Sequence, residues 1–77
     1  PNPFDEVTLI SFALPSAQSA SLTVTDAAGK VLRVIEQDFA AGYNQIELSA
    51  KSLATGVLSY TLATKDFTAT KKMVILE

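Results

Sequence analysis

The groups able to do chemistry in this chain are few. Its 77 residues contain no histidine and no cysteine. That removes the commonest general base, the thiol nucleophile and the usual transition-metal ligands. A serine–lysine dyad is the nucleophilic arrangement still open to it. Ser59 with Lys65, or Lys51 with Ser52, supplies the residue types, but no local motif surrounds either pair. Asp5-Glu6 is the one adjacent acidic pair. With Asp26, Asp38 or Asp66 it offers the hard oxygen ligands that calcium takes. The ligand-at-every-second-position spacing of a calcium loop is missing, so a solvated turn ahead of the first strand is the plainer reading. Gly29, Gly42 and Gly56 are isolated from one another. They read as turn residues supplying positive φ, not as a phosphate-cradling loop. The residues therefore predict no enzyme, no cofactor and no metal.

The aromatic residues are Phe4, Phe12, Phe39, Tyr43, Tyr60 and Phe67, with no tryptophan. Phe12 and Tyr60 fall at core positions of their strands, which makes packing their expected role. Tyr43, beside Gly42, is the one ring placed to stack on a sugar. The only basic cluster is Lys71-Lys72. Neighbouring residues of a strand face opposite sides. One of these lysines must then stand on the core side or at its rim, with its stem along apolar surface. Lysines on an edge strand deter strand-to-strand aggregation, and charge and edge logic alone favour that protective role. A recognition charge is the functional alternative.

These residues have to be positioned by one small domain. A chain of this size buries only about 60–65% of its unfolded surface and has no room for a large cofactor cavity. The first residue is Pro1, which suggests a processed product or an excised piece of a longer protein. Six basic and eight acidic residues give a net charge of −2. That balance argues against nucleic acid and anionic membranes as partners. No apolar run reaches the ~18 residues of a membrane-spanning helix. The lack of cysteine leaves the redox compartment unencoded.

Apolar residues recur mostly with period two, the mark of half-buried strands. In residues 7–14, Ile10, Phe12 and Leu14 share one face, and Leu9 and Ser11 the other. Pro15 ends that strand, having no N–H for a ladder. Residues 20–26 alternate again, with Leu22 and Val24 on one side. Asp26-Ala27-Ala28-Gly29 reads as a hairpin turn capped by the aspartate. The returning strand, 30–36, has Val31, Leu32, Val34 and Ile35 at both parities. Cover on both sides, or a bulge, would explain this. Residues 37–41 read as a loop anchored by Phe39. Residues 42–48 form the next strand, with Ile46 and Leu48 inward. Residues 49–55 have weak helical character, with Leu53 as a buried peg. Residues 57–64 follow as a strand with Leu58, Tyr60 and Leu62 on one face. Lys65-Asp66 turns into a last strand from Phe67. Six strands, or seven if Asn2-Pro3-Phe4 pairs at an edge, predict an antiparallel β-sandwich. An open barrel is the second choice.

The order of these pieces resembles a known family. Pro1-Asn2-Pro3-Phe4 and Ile10-Ser11-Phe12-Ala13-Leu14-Pro15 open it. Leu22-Thr23-Val24-Thr25-Asp26-Ala27-Ala28-Gly29-Lys30-Val31-Leu32 gives its strand–turn–strand. Ala41-Gly42-Tyr43 and Leu53-Ala54-Thr55-Gly56-Val57-Leu58-Ser59-Tyr60 follow, and Lys71-Lys72-Met73-Val74-Ile75 closes. Together they resemble the type A C-terminal sorting domains of the type IX (Por) secretion system. Leu58 stands where an aromatic is common in that family, and Lys65-Asp66 where a glycine often eases the turn.

The resemblance implies a small immunoglobulin-like sandwich spanning 1–77, at the end of a larger secreted protein of the Bacteroidota. It implies a non-catalytic secretion signal. Its partners would be the outer-membrane translocon, a sortase-like protease and an upstream cargo domain. There would be no nucleic acid and no direct membrane insertion. The cargo would travel by way of the periplasm to the cell surface or the medium. The recognition residues it suggests are Lys71, Lys72, Met73, Val74, Ile75 and Leu76, with Gly29, Gly42 and Gly56 as structural turns. The alternative is an accessory binding module, for glycan or a neighbouring domain, of a secreted enzyme or adhesin.

Overall fold

The computed structural model describes residues 7–49 and 56–75, with side chains through Lys72. Six strands are present: β1 (Val7–Leu14), β2 (Gln18–Thr25), β3 (Val31–Phe39), β4 (Gly42–Ser49), β5 (Gly56–Ala63) and β6 (Thr68–Ile75). The expected seventh strand at Asn2-Pro3-Phe4 and the peg at Leu53 lie outside the described residues.

The strands divide between two antiparallel sheets. One has the order β3-β2-β5-β6, and the other is the ribbon β1-β4. Among the described residues no pairing joins the two sheets, so the chain is a sandwich and not an open barrel. The period-two pattern explains how they close. Ile10 and Leu14 of β1 and Ile46 and Leu48 of β4 are buried. They meet Ala20, Leu22 and Val24 of β2, Phe39 of β3, and Leu58 and Leu62 of β5. Phe12, Leu32, Ile35 and Tyr60 pack against this cluster from its margin. Phe12 and Phe39 meet edge to face, with ring centroids 5.0 Å apart. No polar or charged residue is buried among the described residues. This is a small immunoglobulin-like antiparallel β-sandwich, the fold class its sequence predicts.

The mixed parity of β3 has a local cause. The β2–β3 register shifts between Val24 and Thr25, so that Arg33 pairs with Val24 but Val31 pairs with Thr25. Leu32 is the extra residue of a β-bulge, which resets the alternation. Leu32 and Ile35 both reach the core, while Val31 and Val34 are left exposed. The strand also runs further than expected. Asp38 and Phe39 pair with Ser19 and Gln18, so Gln37–Phe39 is ladder, not loop. Asp38 on the outer face and Gln37 exposed at the sheet edge conceal a strand, because polar residues suit a wet surface.

The hairpin between β2 and β3 is held by one carboxylate. Asp26 Oδ1 accepts from the N–H groups of Ala28 and Lys30, each at 2.9 Å. Gly29 N donates to Asp26 O at 3.0 Å and takes φ 87°. This is the three-residue loop in which the last position is left-handed. A Cβ at Gly29 would meet nothing within 4 Å, so glycine is required there by backbone conformation and not by space. Gly42 and Gly56 also have positive φ, 90° and 111°.

Candidate functional site

The larger sheet has two edge strands, β3 and β6, and β6 is the one whose described side chains are all exposed. It pairs with β5 over eight aligned positions, from Ala63 with Thr68 to Gly56 with Ile75. On its other side no strand pairs with it among the described residues. Thr68, Ala69, Thr70, Lys71 and Lys72 are all exposed. Backbone bonds to β5, more than burial, hold this part of the strand. One side-chain bond adds to the ladder: Thr61 and Thr70 hydroxyls lie 2.9 Å apart across the pair.

The turn into β6 manages without glycine. Thr64 Oγ1 accepts from the N–H groups of Asp66 and Phe67 at 3.1 and 3.2 Å. Thr64 N donates to Phe67 O at 2.8 Å. The hydroxyl satisfies amides that a left-handed glycine turn would arrange differently, so Lys65-Asp66 fits at ordinary φ.

Cross-strand neighbours share a face, so the register fixes the two lysines. Lys71 is opposite Tyr60, on the side facing the ribbon; Lys72 is opposite Ser59, on the outer face. The core-side lysine that alternation requires is thus Lys71. It stands at the rim of a groove of about 220 Å³ between β1 and the β5–β6 pair. Ile10, Phe12, Tyr60 and Leu62 supply its apolar lining, and Phe67 and Ala69 its β6 side. Phe67 is 37% exposed there. The sequence carries the alternation Phe67, Ala69, Lys71 but does not show that β1 faces it.

The remaining candidates lie apart from one another. Ser59 and Lys65 are separated by the rest of β5 and the turn. The run from Ser59 to Ala63 alone covers about 13 Å at ~3.3 Å per residue. Lys72 is opposite Ser59 instead, but it is exposed, without the desolvation that makes a lysine a base or nucleophile. Lys51, Ser52, Asp5 and Glu6 lie outside the described residues, as does Leu76. The side chains of Met73, Val74 and Ile75 are likewise not described. No cluster of three or more potential metal ligands occurs among the described residues. Tyr43 is 74% exposed on the outer face of the ribbon, with Val7 and Leu9 exposed on the same face. A second, larger depression lies at the start of β2, between Glu36 and Lys65. Its lining mixes alanines with polar residues, Ser19 and Ser21 among them.

The described residues form a sandwich with an uncovered edge strand and bring no acid, base and nucleophile together. A family model described as the secretion system C-terminal sorting domain matches residues 1–76, and the chain belongs to that family. No curated protein and no solved structure gives a match. Membership makes the chain a C-terminal sorting signal of the type IX kind, from a family that is generally non-catalytic. It implies interaction with the type IX machinery and an upstream cargo that is secreted or displayed at the cell surface.

Proposed function

We propose that residues 1–77 form one non-catalytic domain carried behind a larger cargo, and that it directs this cargo across the outer membrane. The outer-membrane translocon reads Lys71, Lys72, Met73, Val74, Ile75 and Leu76, reached by way of the periplasm. A sortase-like protease then removes the domain. Gly29, Gly42 and Gly56 hold the turns that keep the sandwich in shape. The observation that carries this reading is the free edge of β6 together with the full exposure of its described side chains. An incoming strand can add its backbone bonds there and read alternate side chains, the mode known as β-augmentation. Exposed, solvated side chains along Thr68–Lys72 need little rearrangement before a partner docks.

The test is a reporter carrying an export signal and fused ahead of residues 1–77, expressed in a cell with type IX secretion. The parent fusion is expected at the surface or in the medium, and a fusion lacking residues 67–77 is expected to stay in the envelope. Equal arrival of both would remove β6 from the mechanism. The exposure of Tyr43 favours one further reading, a contact with glycan or with the cargo domain. Saturable glycan binding lost in Tyr43→Ala would support it.

A further inference from the structure

We infer that the segment docking on β6 is an acidic strand of another protein, with two adjacent carboxylates and an apolar side chain two residues from one of them. The inference rests on β6 being the recognised strand. Lys71 and Lys72 stand on opposite faces of one free edge. No ion pair joins either to a carboxylate among the described residues. A strand added at that edge places each residue on the face of the residue opposite. Carboxylates at successive positions would therefore meet both ammonium groups, one on each face. The groove lies on the Lys71 face and is bordered by Ala69 and Phe67, two and four residues along. The incoming side chain two positions from the carboxylate facing Lys71 would enter it. At about 220 Å³ the groove can take one aliphatic or aromatic group, since a cavity of roughly 150 Å³ already holds benzene.

The same charges select against a second copy of this chain. A twofold pairing of β6 with itself, centred on the lysines, sets ammonium beside ammonium, which is destabilising. A head-to-tail pairing with β3 of another copy is the stronger competitor, because Glu36 and Asp38 lie exposed on that edge. Those two carboxylates are two residues apart and pair with Ser21 and Ser19, so both lie on the outer face. They can meet Lys72 but leave Lys71 opposite an uncharged residue.

The experiment uses the reporter fusion and compares Lys71→Glu, Lys72→Glu, the double reversal, the double Lys→Arg variant and the deletion of 67–77. Each purified domain is also melted to establish that it folds. The double reversal is expected to lower surface delivery about tenfold or more while melting like the parent, because opposed charges govern encounter and register. Each single reversal is expected to have a smaller effect, and the arginine variant none. Ala69→Phe, which fills the groove from its exposed wall, is expected to impair delivery without any change of charge. Should a reversal fail to fold, Lys71→Gln with Lys72→Gln carries the same expectation at reduced size. Normal delivery of the folded double reversal, with the deletion still retained, would overturn the acidic partner and leave the recognised strand standing. Delivery of the deletion itself would remove the underlying reading. Concentration-dependent self-association by sedimentation, abolished by Glu36→Lys with Asp38→Lys, would overturn the partner in favour of a second copy.

Discussion

β2 and β6 are both eight-residue antiparallel strands of the same sheet, yet they stand at opposite ends of the domain's energetics. β2 is paired on both sides, and its Ala20, Leu22 and Val24 are buried, the last two completely. β6 is paired on one side, and its side chains from Thr68 to Lys72 are all exposed. Pairing on two sides already gives β2 more backbone bonds than β6. Burial separates them further, because a fully buried aliphatic side chain contributes about 1.5–3 kcal/mol, while a backbone bond beside water contributes roughly 1. The strand that holds the sandwich together and the strand proposed to meet other proteins are thus distinct. Either can be altered with limited effect on the other.

The largest expected effect lies in β2. Leu22→Ala should cost about 2–5 kcal/mol, much of the roughly 4–12 expected for a domain of this size. Urea denaturation measures it, and a cost below about 1 kcal/mol would show that β2 is not the keystone. Next comes amide exchange in the unaltered protein. The amides of β2 are expected to exchange only on global unfolding, and those in the free half of the β6 ladder through local opening. The gap should be on the order of 2 kcal/mol, and equal protection would erase the distinction. Smaller again is Gly29→Ala, which forces a left-handed alanine into the hairpin at about 1–2 kcal/mol, read as a lowered melting temperature. Gly29→Asn should recover part of that, since asparagine tolerates this conformation. Smallest is the effect of Lys71→Glu with Lys72→Glu on stability, within about 0.5 kcal/mol as for other exposed sites. That the same pair should change delivery most is the sharpest form of the contrast.

Much of the fold was legible because period two survives in four of the strands, β1, β2, β4 and β5. Leu22 with Val24, Ile46 with Leu48, and Leu58 with Leu62 fall on the buried side as alternation requires. β3 resisted because a single inserted residue, Leu32, shifts the parity, and sequence shows both parities without showing where the shift lies. Gln37 and Asp38 resisted because Asp38 stands on the outer face and Gln37, though opposite buried Ala20, is exposed at the sheet edge, so both read as loop residues. The sheet order was beyond reach: β1 pairs with β4 across two intervening strands, and no local pattern encodes that partner. The site divides in the same way. Opposed faces for Lys71 and Lys72 follow from strand geometry alone. The groove does not, because its walls come from residues near positions 10, 60 and 70, brought together only by the packing of the two sheets.

The core described above is aliphatic and aromatic throughout its described part, in a chain that has neither cysteine nor histidine. No thiol can cross-link, and no side chain has an unperturbed pKa that would change its charge between about pH 5 and 8. Folding then depends on water and little else, and it should proceed alike under reducing and oxidising conditions. For a domain of a secretion-sorting family, this is a kind of neutrality. No disulfide within these 77 residues locks the sandwich shut, and none has to be reduced before it opens.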